Sequence, residues 1–162
     1  MTSPAPEGFW PLAATPERLA GYNPIAFHAR RIDGALALGF RVGLEHLNPG
    51  GRCHGGVLAS FCDVLLAFAI LHDTPALATT ILPTVNLTID YIAGALPGAW
   101  VQGTGQTISV TRNLAVAQSV VTADGVPVAR SSGTYKVGGA RVTVLDTGAW
   151  LRARLDQALT PE

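Results

Sequence analysis

A chain of 162 residues suits one domain with a core large enough to need no disulfide or metal staple. Apolar residues make up 48% and charged ones only 14%, against roughly 25% in ordinary globular chains; this excludes disorder and suggests that some surface is hidden against copies of the same chain. Eleven basic and eleven acidic side chains cancel, so no global field draws nucleic acid or an anionic membrane.

Residues 1–24 read as an arm. Pro4, Pro6 and Pro11 stiffen it, Phe9 and Trp10 offer anchors, and Thr15 before Pro16 is an N-cap for a short helix. No basic stretch followed by an apolar run marks a signal peptide, so the cytoplasm is the expected compartment. Cys53 and Cys62 are then two reduced thiols. Residues 25–138 carry the main domain. Strands are expected at 25–32 and 35–45, joined at Asp33-Gly34, a strong hairpin pair. The second alternates, with Phe40, Val42 and Leu44 on one face and Arg41, Gly43 and Glu45 on the other.

The run Asn48-Pro49-Gly50-Gly51-Arg52-Cys53 excludes regular structure. Residues 57–71 are apolar around the whole circumference apart from Asp63. Such a helix is either buried or membrane-spanning, and this one is short of the roughly 20 uncharged residues a span needs. A buried core helix is expected. After a turn at Pro75, strands are expected at 79–92, 100–110, 114–123 and 126–137, with turns at residues 95–98, 111–113 and Asp124-Gly125. Residues 139–162 extend the same domain; 146–159 can form a helix with Trp150, Leu151, Leu155 and Leu159 on one side. The order β–β–α–β–β–β–β describes an α+β fold, an antiparallel sheet wrapped around one helix.

Several chemistries are excluded by the absence of their motifs. There is no G-x-S-x-G elbow and no P-loop. The four histidines show neither H-E-x-x-H nor cysteine-pair spacing, so no metal is expected. Gly55 and Gly56 stand where the long helix should begin. Their backbone N–H groups serve either a tight packed entrance or the approach of a ligand oxygen, which the helix dipole would favour. Asp63, in an otherwise apolar helix, costs several kcal/mol unless something compensates. It is either a structural carboxylate or a general base or nucleophile in a dry pocket.

The run Asn48-x-x-Gly51-x-x-His54-Gly55-Gly56, with Asp63 eight residues after Gly55, resembles the hotdog-fold thioesterases, particularly the phenylacetic-acid-pathway type. The segment Leu82-Pro83-Thr84-Val85-Asn86-Leu87-Thr88-Ile89-Asp90-Tyr91 is similar to that family's strand after the helix. The family's usual ending there is Tyr/Phe-Leu-Arg-Pro-Gly; this chain has Tyr91-Ile92-Ala93-Gly94-Ala95 and lacks the basic residue. The resemblance covers residues 25–138. It implies a hotdog fold assembled as a homodimer or dimer of dimers, and hydrolysis of acyl-CoA thioesters without metal or other cofactor. It further implies that the Gly55 amide polarises the thioester carbonyl and that Asp63 activates water or attacks. In the same reading Asn48 and His54 arrange the loop, Gly56 helps to bind substrate, and Thr84 helps to position water. Strict alternation sets Thr84 with Asn86, Thr88 and Asp90, so reaching Asp63 requires a bulge or a place at the strand's end. The Thr111-Arg112-Asn113 turn matches the family's contact with the nucleotide end of coenzyme A; Lys136 is a second cationic candidate and Arg130 a weaker one. Two other activities stay open: a hydratase or dehydratase on the same fold, and a non-catalytic acyl-CoA sensor.

Helix geometry adds one expectation about assembly. Eight residues at about 1.5 Å each separate Gly55 from Asp63 by roughly 12 Å along the axis. Reacting atoms must come within about 3–3.5 Å. The two residues of one chain therefore cannot serve one substrate, and a two-fold dimer with antiparallel helices would solve the problem.

Overall fold

The long apolar helix needs a sheet to bury it, and the chain supplies the strands of one from both sides of the helix in sequence. In the computed structural model, residues 4–12, 25–138, 151, 153, 155 and 156 are described. Seven strands form a single sheet: β1 (Trp10–Pro11), β2 (His28–Ile32), β3 (Ala35–Arg41), β4 (Thr84–Tyr91), β5 (Trp100–Val110), β6 (Leu114–Ala123) and β7 (Val126–Lys136). The helix α1 (Gly55–Asp73) lies between β3 and β4 in sequence. Every pairing is antiparallel and the order is β1-β2-β3-β5-β6-β7-β4, which leaves β4 at an edge. The hairpins at Asp33-Gly34 and Asp124-Gly125 have both residues at positive φ (50° and 81°, 47° and 85°), the primed turn that matches strand twist.

By length and composition α1 is apolar enough to cross a membrane. Its apolar face is instead spent on the sheet, with Phe61, Leu65, Leu66, Ala69 and Ile70 fully buried. Gly103 and Gly105 on β5 permit the close approach: a Cβ at Gly103 would come within 2.8 Å of Leu65 Cδ2, and one at Gly105 would collide with the Ala69 Cβ. The helix is two residues longer at each end than expected. It is also not buried all round. Gly56 and Ser60 are exposed, and Asp63 and Ala67 half-buried. Spaced i, i+4, i+7 and i+11, they line one face that this chain alone leaves open.

The clearest correction concerns β3. It ends at Arg41, and Leu44 is 81% exposed instead of following Phe40 and Val42 inward. At Gly43 the chain enters a 3₁₀ turn, Leu44–His46. The His46 Nδ1 accepts the Gly43 N–H at 2.9 Å, and its ring meets Phe40 edge-on at 5.4 Å, so a histidine takes the inward place expected for the leucine. Likewise β2 begins at His28 and β4 at Thr84, both later than expected, and a 3₁₀ turn at Pro75–Leu77 precedes β4.

Phe9 is buried, its ring 5.0 Å edge-on to Trp100, whereas Trp10 is 45% exposed and no anchor. Arg41 lies over Trp100 and Arg30 over Phe9, and His28 meets the Trp100 ring at 5.5 Å. The helix expected at Thr15, and Trp150 and Leu159 of the C-terminal one, lie outside the described residues. Leu151 and Leu155 are helical and buried in the core, and Asp156 pairs with Arg31 at 2.7 Å.

Candidate active site

Two groups on α1, the Gly55 peptide and the Asp63 carboxylate, are each held by a different end of β4. At the helix start, the His54 Nδ1 accepts the Gly56 N–H at 2.9 Å, capping the helix. The His54 carbonyl accepts from Val57 at 2.9 Å and Leu58 at 3.2 Å. Among the described residues the Gly55 N–H has no partner. Of the two glycine amides, then, Gly56 spends its proton on the cap and Gly55 keeps one for a ligand. Its peptide is already polarised through the doubly bonded His54 carbonyl, and it sits at the positive end of the helix dipole. On its other side the Gly55 carbonyl accepts from Tyr91 Oη at 2.9 Å.

At the other end of β4, the Thr84 Oγ1 donates to Asp63 Oδ1 at 2.8 Å. The contact depends on an irregularity: Thr84 pairs with Tyr135 and Asn86 with Thr134, so Val85 is an extra residue. The bulge turns Thr84, the strand's first residue, onto the helix side with Leu87 and Ile89, resolving the conflict with strict alternation. The Tyr135 Oη lies 3.3 Å from the same Oδ1 and 3.0 Å from the Asp63 carbonyl. Burial first, then the Asp63 charge, push the Tyr135 hydroxyl far above its usual range, so it stays a donor. Oδ2 has no partner among the described residues.

Asn48 shapes the loop before α1. Its N–H donates to the Arg52 carbonyl at 2.8 Å and its Oδ1 accepts the Arg52 N–H at 3.2 Å. The turn holding Arg112 and Asn113 sits at the Asp63 end: the Asn113 carbonyl accepts from Val137 at 2.8 Å, and Lys136 donates its backbone N–H to Pro83, next to Thr84. Both cations are exposed. Arg130 is not free, because its Nε and Nη2 grip the Asp90 carboxylate at 2.9 and 2.6 Å. A groove of about 980 Å³ among Gln102, Thr104, Gln118, Thr122 and Arg130 lies on the face of the sheet turned away from Asp63 and Gly55, away from this chemistry.

Sequence reasoning missed both tyrosines. Tyr135 alternates inward along β7 with Ser131 and Gly133, so it could be read as facing the core, but nothing ties it to a carboxylate 72 positions earlier. Cys62, next to Asp63, is buried and its thiol is pushed up to about 11 by that burial, leaving it protonated.

Residues 50–129 match the thioesterase superfamily model. That stretch, 80 of the 162 residues, is similar to the thioesterase superfamily. A Pseudomonas aeruginosa protein assigned as an esterase is 28% identical over 130 residues, covering 80% of this chain and 95% of that one. A phenylacetic acid degradation-related protein from Ralstonia eutropha superposes with a TM-score of 0.64 at 25% identity, over 76% of this chain and 92% of that one. A Streptococcus pneumoniae thioesterase protein solved with coenzyme A gives 0.62 at 22%, over 72% and 91%. The sheet around one long helix is the hotdog fold, as the resemblance implied.

Proposed function

We propose that this hotdog protein hydrolyses acyl-CoA thioesters to free acid and coenzyme A, working as a homodimer with two composite sites. The single observation that carries the reading is the unpaired Gly55 N–H at the head of a helix that also bears Asp63. That amide holds the thioester oxygen and, as negative charge builds there, the oxyanion. The Asp63 Oδ2 takes a proton from water as its oxygen attacks the carbonyl carbon. Thr84 and Tyr135 fix the carboxylate through Oδ1. The tetrahedral intermediate collapses, the C–S bond breaks, and the proton held by Asp63 passes to the departing thiolate. Coenzyme A in the Streptococcus pneumoniae neighbour supports the substrate class, and Arg112 with Lys136 supplies cations for its phosphates.

Two features support the dimer. β4 is an edge strand with Val85, Tyr91 and the adjoining Ile92 exposed at 60%, 55% and 57%. The open face of α1 at Gly56, Ser60, Asp63 and Ala67 flanks it. Two copies paired antiparallel along β4 bring the Thr84 end of one against the Tyr91 end of the other, so that Asp63 of each chain meets Gly55 of its neighbour.

The test is thiol release from a panel of aryl, short, medium and long acyl-CoA thioesters. The wild type should release thiol from at least one, and Asp63→Asn should lose at least about 10²-fold in kcat while still binding it. Binding without release from any of them would make the protein an acyl-CoA sensor.

A further inference from the structure

We infer that Tyr91 is a positioning residue for the oxyanion donor; this deepens the hydrolase reading above and rests on it. The peptide joining Gly55 to Gly56 is gripped from both sides. Its N–H goes to His54 Nδ1 at 2.9 Å and its C=O receives the Tyr91 hydroxyl at 2.9 Å. A peptide plane held at both ends cannot rotate. The preceding plane, whose N–H belongs to Gly55, is held at its own carbonyl by Val57 and Leu58. Gly55 has no side chain to restrict φ and ψ, so these four bonds do what a side chain would otherwise do. They aim the one remaining N–H in a fixed direction.

Of the four, the Tyr91 bond is the only one reaching α1 from another strand. Three come from within residues 54–58 and would move with the helix start as a unit. The tyrosine ties that unit to the sheet, seven residues along β4 from Thr84, which ties Asp63. Its ring lies close: a Cβ built on Gly55 would be 3.3 Å from Cε1 and Cζ. Burial holds the Tyr91 hydroxyl above its usual range, so it remains a donor across the working pH of a hydrolase. The hydroxyl thus contributes to the transition state indirectly, by keeping the Gly55 amide aligned with the oxygen as the carbonyl becomes tetrahedral. Ground-state binding of the long coenzyme thioester depends little on that alignment.

The test is Tyr91→Phe, which deletes the hydroxyl and keeps the ring. With the best substrate from the panel, kcat should fall about 5–20-fold while KM stays within twofold; the loss is smaller than the roughly 10²–10³-fold of removing an oxyanion donor outright. The melting temperature and the dimer's sedimentation should match the wild type. Unchanged kcat overturns the assignment, and so does a kcat loss matched by a lower melting temperature or by dissociation, since either would make Tyr91 structural. Wild type and Asp63→Asn run beside it. If the wild type hydrolyses, Asp63→Asn does not, and Tyr91→Phe equals wild type, only the Tyr91 role falls. If the wild type releases no thiol, the hydrolase reading falls and this one with it.

Discussion

Among the described residues, Asp63 is held on one side only. Thr84 and Tyr135 both donate to one oxygen, so the carboxylate has a defined free side instead of a freely rotating end. Arg112 is held in the opposite sense, with its backbone turn pinned through Asn113 and its side chain exposed. A phosphate contact far from the thioester should be felt equally before and during reaction. Arg112→Ala should raise KM for acyl-CoA about tenfold, the scale of a charged hydrogen bond, with kcat within twofold. The same variant assayed with an acyl-pantetheine thioester should match the wild type; an equal KM loss there would remove Arg112 from the binding surface. At this scale the geometry of the candidate site was legible where residue type is decisive. A carboxylate in an apolar helix and paired glycines at its head are costly without a use. Leu44 and Tyr135 were not legible, because their places depend on a 3₁₀ turn and on a fold that closes over 72 residues.

Among the elements, the strands from 100 onward were legible nearly to the residue, since Gly, Pro and Asp-Gly pairs fence them on both sides. β4 was placed too early because proline turns upstream of it carry no strand pairing, although the clash between alternation and the reach of Thr84 called for a bulge or a place at the strand's end, and the strand has both. β2 carries a pH response. His28, packed on Trp100, has its pKa lowered chiefly by burial and also by the Arg41 charge, against a smaller opposing effect of the Ala26 carbonyl. An unfolded histidine titrates near 6.5. Below that value the unfolded chain binds a proton that the folded chain resists, so this contribution to stability is complete above about pH 6.5 and is lost as pH falls through the depressed folded value. Melting curves at pH 7.5 and 5.5 should show a larger drop for the wild type than for His28→Gln. Equal drops would mean that another group carries the response.

For the whole molecule, the proposed mechanism makes of one chain two half-sites rather than a site. Gly55 and Tyr91 make one, Asp63, Thr84 and Tyr135 the other, about 12 Å apart along α1. Mixing Asp63→Asn chains with Gly55→Val chains, each inactive alone, should give heterodimers with one intact site and close to half the wild-type activity per dimer. Activity absent despite demonstrated subunit exchange, or a fully active monomer, would refute the composite arrangement. The low charge of the chain, 14%, pointed toward hidden surface. The edge strand β4 is the surface that the proposed dimer would hide.

The extra residue at Val85 has a consequence for how such a chain can change over evolutionary time. If all eight residues, Val85 included, ran in unbroken pleat, Thr84 would turn to the opposite face of the sheet. Sheet regularity and the grip on Asp63 are therefore opposed at this point. A lineage drifting toward the tidier strand would keep its fold, its edge and its helix while losing the alignment of its carboxylate. At this strand length, the flaw in the pairing is what keeps Thr84 on Asp63.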